Sequence, residues 1–323
     1  MLKLNTLSGF GSGVSGAAGG NGYICGGETA GPVGTSDKMS FSTDIMAAAT
    51  DADLTTIDRA GLRGISDPVG AAGYFGGGNT GGAPYTEGRA EKLTYANDTM
   101  AAASDADMVV SGTLEYAASS EGSTHGYWVA GYDGSGSNNG IDKLTFATDT
   151  TASVTDVIAS ARYLAGGGVS DGSTKGYIMG GHTGAYGVDS HKITFATNAI
   201  AATTDANLSV AGRSHPTGGS DVTGGFGWYM GGGAMDTVDK LTFSTDTAAV
   251  NTDATMNNTH GGASGTGDGT LAAYVHGGYG DGDNDATEKL TFVTETAAAA
   301  TDAVLVTPKS NQGSVSSNSV SGH

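Results

Sequence analysis

Seven histidines, one cysteine and a short run of carboxylates are the groups in this sequence whose types and spacing could carry chemistry. A copper centre with a Cys-linked Tyr radical would need a matching cysteine and two histidine ligands. Cys25 instead sits in Tyr23-Ile24-Cys25-Gly26-Gly27, where a small buried residue is expected, and His125, His182, His191, His215, His260, His276 and His323 show no paired spacing. Asp281, Asp283, Asp285 and Glu288 form the densest carboxylate run. Alternating Asp can bind Ca²⁺, so Asp281, Asp283 and Asp285 are the weak metal candidate. The glycine and glutamate at the sixth and twelfth places of a Ca²⁺ loop are missing, which favours a solvated acidic loop. No nucleophile–base pattern appears, and the glycines do not open a helix as a phosphate cradle would. The reading is of a protein that is not an enzyme and holds no cofactor.

Charge narrows the partners. With 33 acidic residues against 14 basic ones, the net charge is -19. Such a surface repels phosphate backbones and anionic lipid, which argues against nucleic-acid binding and membrane insertion. One cysteine allows no internal disulfide, so packing and hydrogen bonds must hold the fold. The opening stretch MLKLNTLSGFGSG lacks a basic start followed by an apolar run, and no signal peptide is expected.

The elements that would position any site come from a repeat. The string Lys-[LIM]-[ST]-[FY] begins at Lys38, Lys92, Lys143, Lys192, Lys240 and Lys289, and an Asp stands thirteen residues after each: Asp51, Asp105, Asp156, Asp205, Asp253 and Asp302. Alternating with it is an aromatic residue followed by a small pair, usually Gly-Gly. The six aromatics are Tyr23, Tyr74, Tyr127, Tyr177, Trp228 and Tyr274. Leu93 and Tyr95, or Leu241 and Phe243, alternate with polar neighbours, the period of a β-strand. Asp171-Gly172, Glu121-Gly122 and Asp268-Gly269 mark turns before the aromatic strands. Each module thus reads as four short strands.

The predicted fold class is all-β: a six-bladed β-propeller of four-stranded antiparallel blades, with the ring closed by both termini. Residues 1–20 form an N-terminal arm, in which Leu2, Leu4, Leu7 and Phe10 could dock elsewhere, and 21–323 a single propeller. The tail from Lys309 aligns with the stretch from Arg162, so the tail is expected to supply the first strand of the first blade. The alternative gives that strand to residues 11–20. The Asp thirteen residues after each Lys is expected to bond backbone N–H groups. Each Lys is expected to lie near the residue before it (Asp37, Glu91, Asp142, His191, Asp239 or Glu288), in exposed pairs worth little.

The aromatic-x-x-Gly-Gly marker at this period resembles the kelch family, over nearly the whole chain from Tyr23. The second half of the module departs from it: Phe or Tyr followed by Thr-Asp stands where a kelch module carries Tyr and, six residues on, Trp. The only tryptophans are Trp128 and Trp228. The resemblance therefore implies the fold and not the animal adaptors. Kelch propellers include the copper oxidases already weighed. Ser170-Asp171-Gly172-Ser173-Thr174 echoes the Asp-box of sialidase-type propellers but lacks its Trp and spacing, and reads as a hairpin. The fuller string, Gly-Tyr-x-x-Gly-Gly, then DKLTFATDT, then Thr-Asp-Ala, resembles arrays in structural proteins of tailed bacteriophages, particularly marine phages and cyanophages. That resemblance implies a non-enzymatic virion protein, tail- or fibre-associated, assembled in the host cytoplasm and released by lysis. Other virion proteins and host surface glycan are the implied partners. Two alternatives stand beside it: a capsid or tail decoration protein without a receptor role, and a free bacterial carbohydrate- or protein-binding kelch propeller.

Variation between copies locates a binding rim. From Gly-Gly to Lys the six loops hold 10, 13, 11, 10, 7 and 10 residues. In a four-stranded blade these loops share a ring face with the blade-to-blade connections, and variable loops on a rigid scaffold are where recognition sits. The candidate binding residues there are Tyr85, Arg89, Tyr132, Asp133, Asn138, Asn139, His182, Tyr186 and Tyr279.

Overall fold

The computed structural model describes residues 20–67, 69, 72–82, 88–109, 118–233, 235–280 and 285–317. They form six four-stranded antiparallel sheets arranged as a six-bladed propeller. Named from the axis outward, blade one is β24 (Gly313–Ser316), β1 (Asn21–Cys25), β2 (Ser36–Ser40) and β3 (Ile45–Ala48). Blade two is β4 (Arg63–Ser66), β5 (Ala72–Gly76), β6 (Ala90–Thr94) and β7 (Thr99–Ala102); blade three is β8 (Ala118–Glu121), β9 (His125–Tyr132), β10 (Ser137–Thr145) and β11 (Thr150–Ser153). Blade four is β12 (Val169–Ser170), β13 (Lys175–Met179), β14 (Ser190–Thr194) and β15 (Ala199–Ala202). Blade five is β16 (Thr217–Asp221), β17 (Phe226–Met230), β18 (Val238–Thr242) and β19 (Thr247–Val250), and blade six is β20 (Ser264–Gly267), β21 (Ala272–His276), β22 (Thr287–Thr291) and β23 (Thr296–Ala299). Helix is confined, among the described residues, to four single 3₁₀ turns such as Thr50–Ala52.

The tail closes the ring. Strand β24 pairs with β1, with Tyr23 opposite Val315, and so fills the place that the alternative gave to residues 11–20. Of the proposed N-terminal arm, residues 1–19 lie outside the described residues.

Burial falls from axis to rim. Inner strands such as β4 are buried on both faces, third strands alternate, and outer strands are mostly exposed Thr and Ala. Both faces of an inner strand meet other backbone, which explains the small residues there. A Cβ on Gly64 would stand 2.0 Å from the Ser314 carbonyl oxygen. Lateral hydrogen bonds tie inner strands together: the Gly267 N–H donates to Ser316 Oγ, the Ser316 N–H to Ser66 Oγ, and the Ser66 N–H to Glu121 Oε2. The Gly-Gly pair has an equally local cause, since Gly26 and Gly27 have φ of 64° and 113°. Blade three puts Ala130 in that first place, at φ 63°.

The core is divided into six apolar clusters, each spanning two adjacent blades. A repeated clasp organises them. The marker aromatic of each blade stacks on the Phe or Tyr of the next: Tyr23 on Tyr95, Tyr74 on Phe146, Tyr127 on Phe195, Tyr177 on Phe243, Trp228 on Phe292, and Tyr274 on Phe41. Centroid separations of 5.5 to 6.2 Å suit stacked rings. The motif Lys then reaches the left-handed turn residue of that next blade. Lys38 pairs with Asp98, Lys92 with Asp149, Lys192 with Asp246, Lys240 with Glu295, and Lys289 with Asp44, at 2.5 to 2.7 Å. Tyr23, Tyr74, Tyr177 and Tyr274 donate their hydroxyls to the same carboxylates.

This corrects the expected pairing of each Lys with the residue before it. Neighbours along a strand point to opposite faces, so the preceding residue is buried while the Lys faces the next blade. Asp37, Glu91, Asp142, Asp239 and Glu288 are all buried. Most of them bind a second series of basic side chains. Arg59 pairs with Glu91, Arg213 with Asp239, His260 with Glu288, and Lys309 with Asp37. Each of these comes from a blade-to-blade connection. Arg59, Arg162, Arg213 and His260 also bond the carbonyl of the first glycine of the Gly-Gly pair. In blade four His191 replaces the acid, and Arg162 meets Asp189 at 3.9 Å.

The Asp thirteen residues after each Lys is corrected as well. Asp51, Asp105 and Asp205 are exposed, each in the first turn of a 3₁₀ turn. The carboxylate or amide two residues further on makes the backbone bond: Asp53 accepts from Ser36 N–H, Asp107 from Ala90 N–H, and Asn207 from Ser190 N–H.

Candidate functional site

The Gly-Gly-to-Lys loops and the blade-to-blade connections do lie on one ring face. Backbone bridges join them in pairs, Ala60 with Asn79, Asn138 with Arg162, and Tyr163 with His182. The opposite face carries tight hairpins held by an Asp. Asp171 Oδ1 accepts from the N–H groups of Ser173, Thr174 and Lys175, so this Asp-box echo is a hairpin turn.

On the loop face, blades three and four bring four aromatic rings into a row. Tyr132 lies against Tyr163 at 5.6 Å, Tyr163 against His182 at 5.0 Å, and His182 edge-on against Tyr186 at 4.9 Å. The tight loop of blade four sets this row. His182 bridges Tyr186 across it, and Gly184 N–H donates to His182 Nδ1 at 3.3 Å. Tyr186 is exposed by 48% and Tyr279 of blade six by 43%, so both present ring surface to solvent. Blade five has the shortest loop, only 7 residues from Gly-Gly to Lys. Tyr279 belongs to a separate place on the face, where its backbone bridges Gly261.

Of the predicted rim residues, the structure joins Tyr132, His182 and Tyr186 in the row, while Tyr279 stands apart on blade six. The others are used differently. Asp133 Oδ1 accepts from the Ser135 hydroxyl and from the Ser135 and Gly136 N–H groups, which closes its own turn and holds the carboxyl below its usual range. Asn138 Oδ1 accepts from Gly140 N–H at 2.5 Å, and Asn139 Nδ2 donates to the Ile158 carbonyl at 3.4 Å. Both amides shape the irregular pairing between Asn138 and Ile141. Arg89 is exposed, and its carbonyl accepts from Gly77 N–H and Arg59. Tyr85, Asp281 and Asp283 lie outside the described residues. Asp285 contributes its carbonyl to Leu305 N–H.

Tyr163 is the residue that sequence reasoning missed. Its counterparts in other connections are Ala60, Ser214, Gly261 and Ser310, each just after the buried basic residue. An aromatic in that place only once is the signal that could have found it.

No family model matches the chain, and no similar curated protein is found. The arrangement must be read from its own chemistry. Among the described residues no three His, Cys, Asp or Glu side chains gather as a metal site would require. Cys25 is buried, and burial pushes its thiol up to about 12, far from a reactive thiolate. The aromatic row offers flat apolar faces with hydroxyl and imidazole edges, a surface suited to a polyhydroxylated ligand with apolar C–H patches.

Proposed function

We propose that this protein is a non-enzymatic recognition propeller that holds host surface glycan on its loop face, as a tail- or fibre-associated component of a phage particle. The aromatic row Tyr132–Tyr163–His182–Tyr186 carries the binding half of this reading. It sits on variable loops above a rigid ring, where side chains can vary without cost to the fold. The virion half rests on the resemblance of the repeated GY-x-x-GG and DKLTFATDT strings to phage structural arrays, and the kelch kinship rests on the aromatic-x-x-Gly-Gly marker alone.

Two measurements test the two halves separately. Glycan-array binding of the wild-type protein should be lost, by tenfold or more in affinity, in Tyr163→Ala and Tyr186→Ala variants whose melting temperatures stay near wild type. Equal binding by those variants would remove the row from the site. Mass spectrometry of purified particles should detect the chain. Presence in particles without glycan binding would make it a decoration protein, and glycan binding without particles a free lectin-like propeller.

A further inference from the structure

The six inter-blade clasps are not equivalent. Five motif lysines meet a carboxylate on the next blade. The sixth, Lys143, meets Asn198, whose Oδ1 accepts from Lys143 Nζ at 3.0 Å and from Tyr127 Oη at 2.9 Å. Asn198 keeps the left-handed turn conformation of its counterparts, with φ of 56°. The backbone is unchanged and only the charge has gone. Asn also tolerates this conformation well, so its presence relieves no strain that Asp would suffer.

This clasp opens into a cleft of about 380 Å³ at the circumference, between blades three and four. Lys143, His125, Thr145, Ser153 and Asn198 line it, with Asp156 the one carboxylate among its lining residues. His125 and Lys143 share a sheet face, because Thr145 pairs with His125 and Lys143 with Tyr127 in the β9–β10 register. With Asn198 Oδ1 already accepting two hydrogen bonds, Nδ2 is the amide's remaining group, a donor. Thr124 Oγ1 lies 2.5 Å from His125 Nδ1, and with Thr124 as donor the ring's Nε2 carries the proton.

We propose that this cleft is an oxyanion site: Lys143 supplies the positive charge, Asn198 Nδ2 and His125 Nε2 supply donors, and the ligand is a carboxylate or sulfate group, free or carried on an acidic saccharide. In the five other clasps the protein's own Asp or Glu plays the ligand's part. Partial burial, helped by the nearby Lys143 ammonium, lowers the affinity of His125 for its proton, which favours the neutral imidazole as a donor. The site is distinct from the aromatic row, and its test does not depend on that row.

Asn198→Asp would supply the missing carboxylate in a geometry five clasps already use, so this variant is expected to fold. Titration with sodium sulfate and, separately, galacturonate, at ionic strength matched with chloride, should shift the His125 ring resonances saturably in wild type. Asn198→Asp should melt higher than wild type without added anion and lose at least tenfold in anion affinity. Lys143→Gln should lose the shift as well. Binding of sulfate and galacturonate alike identifies a general oxyanion site, and binding of galacturonate alone a saccharide site. Equal responses in wild type and Asn198→Asp, or no response of His125 to either anion, would overturn the proposal.

Discussion

Three buried histidines set how the protein answers acid. His215 and His276 have pKa values depressed to about 3, and His191 to about 4, chiefly because burial disfavours the imidazolium. A neighbouring cation adds to this in each case: Arg63 beside His215, Arg162 beside His191, and Lys309 beside His276. Unfolding frees each imidazole to protonate near its ordinary value of about 6.5. Their contribution is therefore complete above about pH 6.5 and falls as pH drops toward 4, on the order of 1–2 kcal/mol for each histidine by pH 5. The clasp carboxylates Asp98, Asp149 and Asp246 are held low by their lysines and tyrosines, and lose their contribution below about pH 4. Urea melts between pH 7.5 and 4.5 should show a steady loss across the upper window, and His276→Gln should flatten part of it. Ala130 gives a residue-scale prediction of the opposite sign. Its left-handed backbone costs a non-glycine residue about 1 kcal/mol, so Ala130→Gly should stabilise the protein by roughly that amount in chemical denaturation.

At the scale of the element, five blade-to-blade connections each carry one buried basic side chain: Arg59, Arg162, Arg213, His260 and Lys309. Arg213 is the fullest case: it bonds the carbonyls of Gly231, Tyr229 and Thr237 and pairs with Asp239, which is equally buried. Arg213→Ala would leave a buried carboxylate and three carbonyls without that partner. The expected loss is about 3–5 kcal/mol, read from urea midpoints, and a double substitution with Asp239→Ala should recover part of it. The strand itself was readable from period-two alternation, but the residue before each Lys, expected in an exposed pair with it, is buried on the opposite face. The destination of the Lys side chain was not readable, because its partner lies in another blade, 54 to 60 residues along the chain, or 245 residues away for Lys289 and Asp44. The loop face was likewise readable as variable in length, while the row of rings depends on Tyr163, which belongs to a different segment from His182 and Tyr186.

Across the whole molecule, stability is shared among blade interfaces, and no single central core carries it. Such an array needs every interface, including the one between its ends. Strand β24 provides that closure: it pairs with β1, and Ser314 Oγ donates to the Gly265 carbonyl of blade six at 2.5 Å. Lys309, just before it, reaches the carbonyls of Ile24 and Thr35 and the Asp37 carboxylate. A chain ending at residue 308 should lose its single cooperative melt, with blade one opening first in hydrogen exchange. A synthetic peptide spanning 309–317 should restore protection in β1 by adding back the inner strand. Unchanged cooperativity in the truncated chain would show that closure contributes little.

The repeat by itself determined the number of blades and their strand content, and narrowed the closing strand to two sources, the tail and residues 11–20. Each of these follows from short-range patterns: period-two alternation, turn residues, and a tail that aligns with an inner-strand segment. Tertiary structure alone decided which charges meet. Lysines reach across to the following blade, buried basic side chains thread back to Gly-Gly carbonyls, and one clasp lacks its carboxylate. These pairings join residues distant along the chain, and stacking the sheets is what brings them within bonding distance, because neighbouring side chains on a strand face opposite ways.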